Sequence, residues 1–225
     1  MEVTLVSLSN RPAISDITWP VMDNYCVKHG YTFVAIGDTL DATRHPAWSK
    51  LLALKMAMEQ GSSDMVVWLD DDQYITNPAI PLDALVGSTP FDRILMTEDS
   101  GPWSPFNSGI MFCKNTDEVK DHLDLIYNLA ENHPETEKFY QQPMWEQSGM
   151  AFFHENIDDK FYRIVPMHPI QGFINEHLIG GGADTLARIQ HSAWVPGLFT
   201  AHVPGRTLST RLQQLQSIAS VNKWD

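Results

Sequence analysis

The chain opens on an apolar run, Val3-Thr4-Leu5-Val6-Ser7-Leu8, that stops at Ser9-Asn10-Arg11-Pro12. A short apolar run bounded by turn residues predicts a strand over 3–8. Ser15 or Asp16 can cap a following helix that places Ile17, Val21, Met22 and Tyr25 on one side and closes at Gly30. Alternation resumes from Tyr31 to Ile36 as a second strand. A polar loop over 37–45 leads to Pro46, which suits the first turn of a helix carrying Trp48, Leu51, Leu52, Lys55 and Met58. Gly61 ends that helix, and Met65-Val66-Val67-Trp68-Leu69 follows as a third strand. Strand and helix in strict alternation predict an α/β fold with a parallel sheet built by right-handed crossovers.

The second half is less regular. Strands are expected over 93–97, 109–113, 162–165 and 198–203. Val119, Leu123, Ile126 and Ala130 mark one helix face, residues 139–147 a second helix, and Leu208, Leu212, Leu215 and Ile218 a closing helix. Residues 172–197, with Gly180-Gly181-Gly182, read as one long loop.

The third strand ends abruptly on Asp70-Asp71-Asp72. An unpaired carboxylate is costly to bury, so these acids must emerge at the carboxyl edge of the sheet or meet cations. That edge is where α/β proteins place ligands. Two carboxylates one residue apart can converge on a divalent ion while leaving room for phosphate oxygens, which points to a metal-bound nucleotide diphosphate. A solvated acidic turn is the plain alternative. A phosphatase of haloacid-dehalogenase type, with Asp70 as nucleophile, uses similar letters but follows them with a small hydroxyl residue, where Tyr74-Ile75 stands here. No G-x-G-x-x-G turn supports a dinucleotide site.

Composition narrows the classes. The 225 residues, 43% of them hydrophobic, suffice for one large domain, 1–225. A net charge of −13 without a Lys/Arg cluster argues against nucleic acid. Cys26 and Cys113, in no metal or redox spacing, read as buried free thiols. No signal peptide, membrane span or obligate protein partner is evident, so a cytoplasmic enzyme is expected, in a host cytoplasm if viral.

Five segments occur in order: Trp48-Ser49-Lys50, Val67-Trp68-Leu69-Asp70-Asp71-Asp72, Phe106-Asn107-Ser108-Gly109-Ile110-Met111, Trp145-Glu146-Gln147 and Ala201-His202-Val203-Pro204-Gly205. Together they resemble the retaining galactosyl-, xylosyl- and mannosyltransferase family of yeast and plants, as in a viral or bacterial relative. The resemblance implies a GT-A fold with a nucleotide-sugar-binding half over 1–98 and an acceptor-binding half over 99–225. It implies transfer of a sugar from a nucleotide diphosphate sugar, a UDP-sugar, to a hydroxyl acceptor with retention, using Mn²⁺ or Mg²⁺. A non-catalytic sugar-nucleotide-binding module is the other alternative.

Carried onto this chain, the resemblance makes Asp70 and Asp72 the metal-binding pair, with Asp72 the direct ligand and Asp70 near the ribose. Asp71 of the same stretch counts, with Asp70, among the residues that bind the nucleotide sugar, although it points to the other side from the metal pair. His202 completes the metal shell, as imidazole does for such ions, and Gly205 lets backbone approach the diphosphate. Ser7, Ser9 and Asn10, at the end of the first strand, lie where nucleobase and ribose would rest. Lys50 neutralises a phosphate or pairs with an acid, or simply faces solvent. Asn107 and Ser108 face the donor sugar, unless they form an ordinary Asx turn. Glu146 and Gln147 match the acid-Gln element that stabilises oxocarbenium charge. Ser148 stands where the family often has an acid, and Leu198 where it often has Asp. Trp103, Trp145, Phe173, His168 and Trp194 are candidates for an acceptor wall or for ordinary core.

Overall fold

The structure is a computed structural model that describes residues 1–87, 89–101, 103–174, 192–205 and 207–222. Strand β1 (Val3–Leu8), helix α1 (Pro12–His29) and strand β2 (Thr32–Ile36) come first. A short 3₁₀ turn, Pro46–Trp48, runs into α2 (Ser49–Gln60) and then β3 (Met65–Leu69). Next are β4 (Gln73–Ile75), α3 (Leu82–Val86), β5 (Ile94–Thr97) and β6 (Asn107–Lys114). Helices α4 (Asp117–Tyr127), α5 (Leu129–Asn132) and α6 (Trp145–Asn156) follow. The described chain closes with β7 (Tyr162–Val165), β8 (Gln171–Phe173), β9 (Thr200–His202) and α7 (Leu208–Val221).

Six strands form a mixed sheet in the order β2-β1-β3-β6-β5-β7. Strand β1 pairs in parallel with β2 and β3, and β5 with β7, whereas β6 runs antiparallel to β3 and β5. Two antiparallel steps restore direction, so β5 points the same way as β1 and β3. The carboxyl ends of β1, β3 and β5 therefore share one sheet edge with the amino end of β6. That edge collects residues 9–11, 70–72, 98–100 and 107–109.

The unbroken apolar run of β3 has a simple cause: both faces of the sheet are covered. Val66 and Trp68 pack with Trp48 of the 3₁₀ turn and with Leu54, Leu123 and Met150 from α2, α4 and α6. Met65, Val67 and Leu69 point the other way, against Met22, Tyr25 and Cys26 of α1. A second sheet of three strands, β4-β9-β8, lies under α1 and α7 through Ile14, Tyr74, Ala201, Leu215 and Ile218. Its strands have three residues each, too few for alternation to announce them.

The structure amends four expectations: first, α1 begins at Pro12, so Ser15 and Asp16 lie inside the helix and do not cap it. A helix over 139–147 does not form: a 3₁₀ segment ends at Tyr140, and α6 begins only at Trp145, after Pro143 and a positive φ of 75° at Met144. Ala130 falls beyond a break at Asn128, so α4 stops one turn early. The expected loop over 172–197 begins inside β8, while its residues 175–191, including Gly180-Gly181-Gly182, lie outside the described residues. Both cysteines are buried and free, as expected. Among the described residues, no helix is long and apolar enough to cross a membrane.

Leu54 is fully buried where α2 meets the sheet and α4. Leu54→Ala should cost about 3 kcal/mol of stability, since a cavity there cannot collapse between two covered layers. Urea unfolding should show a lower midpoint with an unchanged slope.

Candidate active site

A cleft of about 950 Å³ opens at the sheet edge where β1, β3, β5 and β6 converge. It is lined by residues from every one of the five segments singled out in the sequence, with Asp70, Asp71 and Asp72 at its centre. Their positions follow from β3, which ends at Leu69 as Asp70 N–H donates to Gly109 C=O at 2.9 Å.

The three acids have separate surroundings. Asp71 turns toward β1 and α1, where its carboxylate accepts from Ser9 Oγ and from the Arg11 guanidinium. Burial, then the charge of Asp72, pushes the Asp71 carboxyl up to about 6 against the pull of Arg11. Asp70 accepts from Trp68 Nε1 at 2.6 Å and lies 3.1 Å from Lys50 Nζ. Asp72 is buried, with Arg211 Nη1 3.2 Å and Arg11 Nη2 3.7 Å from its Oδ2. Its Oδ1 has no hydrogen-bond partner.

His202 arrives from β9, whose antiparallel pairing with β4 sets His202 opposite Gln73, the residue after Asp72. His202 Nε2 is buried without a hydrogen-bond partner, 3.3 Å from Asp72 Oδ1 and 3.9 Å from Asp70 Oδ2. Ligand atoms of Asp70, Asp72 and His202 all lie within 4.8 Å of one another. Two orphaned buried acceptors facing an acid across such a gap suit a hard divalent cation with N/O ligands.

Lys50, on the first turn of α2, is buried at 4% exposure between two acids. Its ammonium is 2.7 Å from Glu146 and 3.1 Å from Asp70, and it donates to Ser108 C=O and Oγ. Burial alone would lower the Lys50 ammonium, but the charges of Asp70 and Glu146 outweigh it and hold the group above its ordinary value. Of the roles considered for Lys50, the geometry supplies pairing with an acid. Ser108 Oγ also lies 3.0 Å from both Glu146 and Gln147.

Gln147 is held at both ends. Its Oε1 accepts from Ser108 N–H at 2.9 Å, and its Nε2 donates to Asp99 Oδ2 at 3.0 Å. Glu146 and Gln147 reach the cleft because α6 starts abruptly, with positive φ at Met144 before it and at Trp145, its first residue. Such backbone costs of order 1–3 kcal/mol per residue.

Other expected positions fall differently. Ser7 is fully buried, accepts from Trp19 Nε1 and does not line the cleft. Asn10 lies exposed at the mouth, and Gly205 lines the far wall with a φ of 64°. Asn107 Oδ1 accepts from Gly109 N–H at 3.0 Å, the bond of an Asx turn, at the start of β6. Trp103, Trp145 and Phe173 line the cleft, whereas His168 and Trp194 do not.

Four participants were not foreseen: Arg11, Asp99, Gln171 and Arg211. Asp99 lies two residues past the end of β5, at the same sheet edge as Asp70 after β3, and burial pushes its carboxyl upward. The strand end itself can be read from the sequence, but the direction of β5 that brings it to this edge cannot. Gln171 links the two sheets and is fully buried.

Lys50→Met should destabilise the fold by about 3–5 kcal/mol, because it strands the buried Glu146 carboxylate and leaves Asp70 uncompensated. A raised lysine contributes stability below its ordinary value near about 10.4 and loses it only as pH rises through the higher folded value. The deficit of Lys50→Met should therefore be constant across neutral pH in urea titrations.

Residues 22–101 match the profile of the galactosyl transferase GMA12/MNN10 family. No curated protein matches the sequence. Among solved structures, the chain is similar to a glycosyltransferase involved in glycosylation of the major capsid of PBCV-1, with a TM-score of 0.70 and 17% identity. That alignment covers 96% of this chain and 100% of the other. It is also similar to the galactosyltransferase LgtC crystallised with donor and acceptor sugar analogues, with a TM-score of 0.57 and 10% identity, covering 100% and 97% of the two chains. Mouse xyloside xylosyltransferase 1 aligns with a TM-score of 0.54 and 9% identity over 90% and 97%. A phosphatase of haloacid-dehalogenase type is set aside by this fold. The chain has the GT-A fold of these glycosyltransferases, and its residues 22–101 match the galactosyl transferase GMA12/MNN10 family.

Proposed function

We propose that the protein transfers a sugar from a uridine diphosphate sugar to a hydroxyl of a glycan or similar acceptor, with a divalent metal and with retention. The observation that carries this reading is the buried, unpartnered pair His202 Nε2 and Asp72 Oδ1, set beside Asp70 in the cleft. Asp70, Asp72 and His202 would hold Mn²⁺ or Mg²⁺, which supplies Lewis-acid charge against a departing diphosphate.

The chain's own groups do the remaining work. Among the described residues, Arg11 and Arg211, already turned to Asp72, are cations that can stand beside the leaving group. Ser9 and Asn10 border the nucleoside end, and Gly205 allows backbone to come close to phosphate. Gln147 presents a fixed amide toward the sugar, oriented by Ser108 and Asp99. Glu146 is neutralised by Lys50 at 2.7 Å and bonded to Ser108 Oγ at 3.0 Å, which makes it a weak nucleophile. That pairing supports a front-face route, in which the leaving phosphate takes the acceptor's proton, over a covalent sugar–enzyme intermediate. Trp103, 78% exposed at the rim, together with Trp145, offers ring faces to an acceptor sugar.

Calorimetric titration with UDP should show binding that requires Mn²⁺ and is lost in Asp72→Ala. A panel of sugar nucleotides should then release UDP with one donor above the others. Absence of UDP binding in the presence of Mn²⁺ sinks the reading, and UDP binding without release from any donor reduces the protein to a binding module.

A further inference from the structure

The orientation of His202 is settled by hydrogen bonds that begin at a backbone amide. Gly109 N–H can only donate, so the Asn107 atom that it meets at 3.0 Å is the carbonyl Oδ1. Asn107 Oδ1 therefore accepts from Gln171 at 3.3 Å, which makes that Gln171 atom the amide Nε2. A second path gives the same answer. Thr97 Oγ1 donates its one proton to Glu98 C=O at 3.2 Å and accepts from Gln171 Nε2 at 2.6 Å. Gln171 Oε1 is thus the end that faces His202 Nδ1, at 3.1 Å, and it also accepts from Gln73 Nε2 at 3.2 Å. An amide oxygen cannot donate, so Nδ1 carries the proton.

We propose that Gln171 is a positioning residue that fixes His202 as the Nδ1–H tautomer, so that its Nε2 lone pair points at Asp70 and Asp72. A ring nitrogen is chosen as ligand by the hydrogen bond its partner nitrogen makes. Here that bond comes from an uncharged amide, which leaves the metal site's charge unchanged, whereas the more usual carboxylate would add to it. The space around the bond is fully used: a Cβ on Gly109 would meet His202 Cε1 at 2.4 Å, Asn107 Oδ1 at 2.8 Å and Gln73 Nε2 at 2.8 Å. Gln171 lies on β8, next to β9 in parallel register, with Phe173 opposite His202. Its amide spans from the small sheet to Thr97 of β5 and Asn107 of β6, so the ring is oriented against the large sheet that carries the acids.

The proposal rests on the metal reading only for its consequence, and two readouts separate them. Long-range proton–nitrogen spectra of the wild type at about pH 8, above the usual imidazole range, report the tautomer directly. The His202 resonances are identified by their loss in His202→Ala. A protonated Nδ1 and a bare Nε2 are expected, and a protonated Nε2 in the wild type overturns the proposal. Mn²⁺ binding without nucleotide, followed by the spin-resonance signal of free ion, should weaken about ten- to hundredfold in Gln171→Met. Gln171→Glu keeps an acceptor for Nδ1 and should restore the tautomer and most of the affinity. Unchanged tautomer and unchanged Mn²⁺ affinity in Gln171→Met also overturn it. A wild type with the expected tautomer but no Mn²⁺ binding overturns the metal reading instead, and leaves the positioning bond supported.

Discussion

Five carboxylates crowd one edge of one sheet, and much of the site is the solution to that crowding. Asp70, Asp71, Asp72, Asp99 and Glu146 all line the same cleft, and Asp71, Asp72 and Glu146 are almost fully buried. Each needs a counter-charge or donors, because an unpaired buried carboxylate costs several kcal/mol. Arg11 from the start of α1, Lys50 from α2 and Arg211 from α7 supply the charge, and Ser9, Ser108 and Gln147 supply donors. Helices from both ends of the chain are thereby tied to β3. Among the described residues of the cleft, His202 Nε2 and Asp72 Oδ1 remain unmet across their gap, as does Arg211 Nε.

The N-terminal part of this arrangement was open to reading because its signals are local and long. The run over 65–69 ends on acids, Gly30 and Gly61 close helices, and the alternation of strands and helices fixes direction. Asp70, Asp72 and His202 do come together, as the resemblance implied. The rest was hidden for different physical reasons. Gln73 and Gln171 sit in strands of three residues, where no period can be seen. Arg211 was masked by its own helix: the stripe that includes Leu208 suggested the inward face, yet Leu208 is 51% exposed and Arg211 only 7%. The inward face there is polar because it meets the acids. Asp99 required knowing that β5 runs the same way as β3, which depends on both antiparallel pairings of β6.

Residues with an expected chemical role also proved to have structural partners. Ser108 faces the cleft and at the same time holds Lys50, Glu146 and Gln147 together. Asn107 closes an Asx turn on Gly109 and supports Gln171. The bland and the functional readings of this turn are therefore not exclusive, since the turn geometry is what places the donors.

The pairing of β4 with β9 has a temporal side. Translation delivers Asp70–Asp72, Arg11 and Lys50 first, with charge pairs among them, whereas β9 and α7 leave the ribosome more than a hundred residues later. Until then the nascent chain has an acid cluster without its imidazole and without Arg211. Joining Gln73 to His202 is a contact between remote parts of the sequence, of the kind that is slow to form. Strand β9 thus acts as a latch that brings His202 to the acids only once it has paired with β4.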